Sequence, residues 1–133
     1  MISLTQVTEP YQIDLPAGVT LTVKPLTHVL YLQATRQAQR DVADQMTDDL
    51  QRDSAEHAAR LQAATTIALA RLAVTDWTGV VGEDDQPAPC TPDSVRQLLE
   101  SHWILAENFS QKYNGQTELL AAEKKPLAGS SAG

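Results

Sequence analysis

The hydrophobic period of this chain changes at Pro25, and that change limits the folds open to it. In YQIDLPAGVTLTV, Tyr11, Ile13 and Leu15 alternate with Gln12 and Asp14, and Val19, Leu21 and Val23 alternate with Thr20 and Thr22. Period two puts each apolar set on one face of an extended strand. Pro16-Ala17-Gly18 between them has turn chemistry, with glycine free to take positive φ. Residues 11–24 therefore predict a β-hairpin with one apolar face. A lone hairpin is marginal in water, so helices are expected to cover that face.

Beyond Pro25 the period is helical. Thr27 is the expected N-cap of a first helix over about 28–48, with Leu26 before it to pack on Tyr31. Leu30, Ala34, Ala38, Val42 and Met46 recur every fourth residue along one face. TDDLQRDSAE breaks the pattern, and Asp53 or Ser54 is the expected cap of a second helix ending near Ala73. Its expected buried stripe is Ala58, Leu61, Thr65, Ala68 and Leu72, flanked by Ile67 and Leu69. This alanine density favours helix and lets a second helix approach closely, so the two predict an antiparallel hairpin.

GEDDQPAPC reads as turns. Thr91 is then an N-cap, Pro92 the first helical residue, and Asp93 a carboxylate in the first turn, where the helix dipole favours it. Val95, Leu98 and Leu99 lead an apolar pattern that Trp103, Ile104, Ala106 and Phe109 continue to Tyr113, before Asn114-Gly115 stops it. A short helix over about 117–123 is expected next. The small, polar ending KKPLAGSSAG predicts a flexible tail over 124–133. The fold class is mainly α with an N-terminal β-hairpin (α+β): a helical bundle packed on a small antiparallel sheet, one domain over 1–123.

The net charge is −7 over 133 residues, with a pI near 4.7. Phosphate backbones and anionic membranes both select clustered Lys and Arg, so this balance argues against each. No stretch approaches the roughly 20 apolar residues of a membrane span. The opening MISLTQVTEPYQIDL has no basic region or long apolar run of a signal peptide. A single cysteine, Cys90, excludes an internal disulfide.

Signals for chemistry are few. His28, His57 and His102 fall on three expected helices, each without a neighbour at metal-ligand spacing. The acidic stretches lack the D-x-D-x-D-G order of a calcium loop, and read as solvated turns. GVVGEDD lacks the lysine and hydroxyl of a phosphate loop. Cys90 has no histidine beside it in sequence, and no G-x-S-x-G elbow is present. No catalytic, cofactor-binding or metal residue is assigned, and a non-enzyme is expected. The candidate partner-binding residues are Trp77, Val80, Val81 and Trp103. Trp77 has two readings, a plug at the end of the helical pair or a patch facing a partner. Val80 and Val81 are expected beside it as a short extended piece on the hairpin.

Three segments, in order, resemble phage tail assembly chaperones. LTVKPLTHVLYLQA resembles their opening strand, K-P-L-T-like turn and helix. DWTGVVGEDDQPAPCTPDSVRQLL is similar to a mid-chain W-x-G-V stretch, an acidic turn, a proline and T-P-E/D-x-V with two leucines. AAEKKPLAGSSAG resembles their small-residue endings. Asp84-Asp85-Gln86 stands where such chaperones more usually carry a glycine. The resemblance implies a siphophage or prophage tail gene cluster and a non-catalytic protein of the host cytoplasm, absent from the mature virion. It implies binding to the tape measure protein and recruitment of tail tube subunits; a second copy of the chain is a further candidate partner. The alternative is a virion structural component, such as a head–tail connector or minor tail protein.

Overall fold

The computed structural model describes residues 9–45 and 55–115. Strands β1 (Tyr11–Asp14) and β2 (Thr20–Val23) form the expected hairpin, with Ile13 opposite Leu21. Helices α1 (His28–Gln45) and α2 (Ala55–Ala73) follow. Strand β3 (Val74–Thr78) leaves α2 with no intervening loop and pairs antiparallel with β2, so the sheet order is β1-β2-β3. Helix α3 (Pro92–Ser101) and a helix α4 over residues 103–115 complete the described chain. The fold is α+β, mostly helical. The expected Met46, the end of the first helix, the Asp53 or Ser54 cap, the 117–123 helix and the 124–133 tail lie outside the described residues.

The third strand corrects one expectation. Val80 and Val81 do not extend the hairpin; Val74–Thr78 does. The register shifts at β2 Thr22 and Val23, which face Asp76 and Val74, so Thr75 has no opposite residue. That extra residue explains how Val74 and Trp77, three positions apart, are both buried. Strict alternation would send them to opposite faces. The Thr75 hydroxyl donates to the Thr22 carbonyl at 3.3 Å and holds the bulge.

Helix starts follow local chemistry. The Leu30 N–H donates to Thr27 Oγ1 at 3.1 Å, making Thr27 the cap of α1. At α3 the Ser94 N–H donates to Thr91 Oγ1 at 3.1 Å and the Thr91 N–H donates to Ser94 Oγ at 2.8 Å, a reciprocal capping box.

The α1 stripe is buried as expected at Ala34, Ala38 and Val42. The α2 stripe differs. Ala58 and Leu72 are exposed, and the buried residues are Ala68, Leu69, Ala70 and Ala73. Three consecutive buried residues span about 200° of a helix. The second half of α2 packs against α1, α3 and β3 together, so one stripe cannot describe it.

The pattern expected to run unbroken from Val95 to Tyr113 is two helices. Val95 and Leu99 are buried, then Leu105, Phe109 and Tyr113. In one continuous helix Leu105 would lie about 120° from Leu99, at the edge of the same apolar stripe. His102, at φ −132 and ψ 83, breaks the helix between the two buried sets. Its N–H still donates to the Leu98 carbonyl, and its own carbonyl accepts from Leu105 at 2.9 Å. Helix α4 then reaches back to the hairpin. Phe109 and Tyr113 stack at 5.1 Å, the Tyr113 hydroxyl donates to the Lys24 carbonyl at 2.7 Å, and Lys112 Nζ donates to the Asp14 carbonyl.

Two turn residues generate a test of backbone strain. Gly79 has φ +83, and a Cβ there would overlap the Gly18 carbonyl oxygen. Ala17 holds φ 66, which L residues with a Cβ adopt at a cost. We expect Gly79→Ala to lower unfolding free energy by about 2 kcal/mol or more, and Ala17→Gly to raise it by about 0.5 kcal/mol. Urea unfolding measures both, and an unchanged Gly79→Ala midpoint would contradict the close approach.

Burial first, and then Tyr11, push the Tyr113 hydroxyl well above the ordinary tyrosine value. A raised folded pKa means its contribution is complete below pH about 10 and is lost as pH climbs from there. Tyr113→Phe is expected to cost about 1 kcal/mol near neutrality and to lose less stability than the parent on moving to pH about 11. Equal alkaline losses in the two proteins would refute this. Burial raises Tyr11 in the same direction, so some alkaline loss persists in the variant.

Candidate functional site: an apolar groove beside Trp103

The residues after β3 form a small ordered loop. Gly82 N–H donates to the Gln86 carbonyl at 2.9 Å, and Gln86 N–H to Asp84 Oδ1 at 3.1 Å. Asp85 takes φ 59, the left-handed conformation that suits glycine. Asp tolerates that region better than most residues, so the turn stays tight without one. Val81 bridges Pro87, and Ala88 N–H donates to the Val80 carbonyl at 3.0 Å.

Trp77 anchors this loop. Its ring is buried and its Nε1–H donates to the Ala88 carbonyl at 2.9 Å. Of its two sequence readings the structure adopts packing, though on the sheet and not at the end of the helical pair. Val80 is half-buried against the core and Val81 is 58% exposed. The two valines line a groove of about 390 Å³ together with Val19, the hairpin turn, Leu98, Ile104 and Leu105. Ile104 is exposed, and its neighbour Trp103 at the start of α4 is 73% exposed. The structure thus brings Val80 and Val81 together in one groove, with Trp103 next to a lining residue and Trp77 beneath in the core. Leu98 and Ile104 belong to the apolar pattern of the sequence, but Ile104 falls about 140° from Leu99 on a helical wheel, off the buried face.

The groove is suited to binding by area. Covering a tryptophan this exposed removes roughly 150 Å² from water, about 4 kcal/mol of gross driving force before association costs. Among the described residues, no group of three or more His, Cys, Asp or Glu is arranged to hold a metal ion. The Cys90 thiol is pushed up, by burial and then by Asp76, which is the opposite of nucleophile activation. No described helix is long and apolar enough to cross a membrane.

No curated protein and no solved structure matches the chain. Residues 26–133, which hold all the described helices, the groove's two valines and Trp103, match the model of the YdaY prophage protein family. The chain belongs to the YdaY prophage protein family.

Proposed function

We propose that this prophage protein is a non-catalytic tail assembly chaperone, which shields apolar helical segments of the tape measure protein and helps bring tail tube subunits to it. The observation that carries the reading is the groove that Val80, Val81 and exposed Ile104 line together, with exposed Trp103 the residue before Ile104. An amphipathic helix lays its apolar side chains into a groove of this kind. The net charge of −7 supports the role, because like-charged complexes stay dispersed. Under this reading the protein works in the host cytoplasm and leaves before the virion is complete.

Co-expression with the tape measure protein of the same prophage tests the proposal. We expect the soluble fraction of that protein to rise when the chaperone is present, and the gain to fall with Val81→Ser and Trp103→Ser combined. Both side chains are exposed, so the double variant is expected to keep the parent's circular dichroism and lose no more than about 0.5 kcal/mol of stability. A tape measure protein whose solubility ignores the partner defeats the reading. A head–tail connector or minor tail protein would instead appear in purified particles at fixed copy number by mass spectrometry.

A further inference from the structure

A second groove, with no lining residue in common with the first, lies between α1 and α2 at the start of α3. Its volume is about 540 Å³, and Gln33, Arg36, Gln37 and Arg40 line it from α1, facing Arg71 and Leu72 of α2. Three of the chain's six arginines therefore meet in one place on a protein of net charge −7. Among the described residues, no Asp or Glu lines the groove.

The guanidinium groups are poorly matched inside the fold. Arg36 makes no hydrogen bond or ion pair with any described residue. Arg40 donates only to Gln37 Oε1 at 2.9 Å, while Gln37 is itself held by Asp41. Arg71 lies 3.7 Å from the carboxylate of Asp93, whose side chain is 85% exposed, and its buried Nε has no acceptor. A solvated helix face with aliphatic stems over Ala68 would account for Arg36 and Arg40. It does not account for Arg71, whose guanidinium is partly desolvated without a carboxylate at hydrogen-bonding distance.

The surroundings define the occupant. Val29 and Leu32 precede Arg36 by seven and four residues, so they share its face of α1, and both are exposed. Leu72 is exposed on the facing helix. Apolar side chains thus flank a cationic patch along one strip. Nucleic acid fits poorly, since the net charge repels a polyanion and no aromatic ring lines the groove for base stacking. Paired guanidinium forks suit carboxylates, which they can bind in bidentate fashion. We propose that this groove docks an acidic, amphipathic helical segment of a protein partner, its Asp or Glu side chains on Arg36, Arg40 and Arg71 and its apolar side chains on Val29, Leu32 and Leu72. The site stands apart from the apolar groove, and the tape measure reading can fail without affecting it.

Isothermal titration calorimetry of the full chain at low ionic strength tests the site. The probes are a synthetic helical peptide of about 15 residues with Glu at i, i+4 beside a Leu face, the same peptide with Gln for Glu, and inorganic pyrophosphate. The Glu peptide is expected to bind at least about tenfold more tightly than the Gln peptide, and to weaken as salt is added. Arg36→Gln, an exposed change that leaves the fold intact, is expected to weaken the Glu peptide by about tenfold, as is Arg71→Gln. Leu32→Ser weakens both peptides, whereas Trp103→Ser changes neither. Failure of the Glu peptide to bind, equal binding of the two peptides, or indifference to Arg36→Gln overturns the proposal. Pyrophosphate binding without peptide binding overturns it too and makes the groove a small-anion site.

Discussion

The indole of Trp77 joins the sheet to the loop that leads to α3. Its ring closes the inner face of the sheet, and its Nε1–H donates to Ala88 within the loop leading to α3. A buried indole N–H without an acceptor would cost on the order of 1–3 kcal/mol, so the loop is held where the ring can reach it. The loop in turn presents Val80 and Val81, and its end delivers Thr91 to cap α3. One hydrogen bond therefore ties the sheet to the loop that carries Val80 and Val81.

Aromatic residues are scarce here, one Phe, three Tyr and two Trp, and their placement separates structural from binding roles. Phe109, Tyr113 and Trp77 are buried and join α4, the hairpin and the loop. Alanines fill the space between helices, which brings α1 and α2 close without large side chains. With so few rings available, Trp103 is 73% exposed beside an exposed isoleucine and adds little to the core.

The two grooves differ in chemistry and in the elements that build them. The apolar one is made by loops and helix ends around the sheet, the cationic one by the flanks of two long helices. The two proposals therefore rest on separate surfaces of this YdaY-family protein.

Much of this was legible in the residues themselves. Alternation at Tyr11–Val23 specified the hairpin, four-residue recurrence specified α1, and Thr27 and Thr91-Pro92 specified where helices begin, because each signal acts within a few residues of itself. The rest needed tertiary contacts. Strand β3 follows an alanine-rich helix directly, and its apolar spacing of three reads as strand only once the bulge at Thr75 is paired to β2. The break at His102 has no proline or glycine to mark it, and the buried set Val95, Leu99, Leu105, Phe109 and Tyr113 falls within about 120° of a helical wheel, so the apolar pattern alone reads as one continuous helix. The same break bears on the site, since in a continuous helix Trp103 would lie only about 40° from buried Leu99, whereas after the break it is exposed. The meeting of Arg36, Arg40 and Arg71 is likewise a product of how α1 lies on α2, a distance in space that no local pattern encodes.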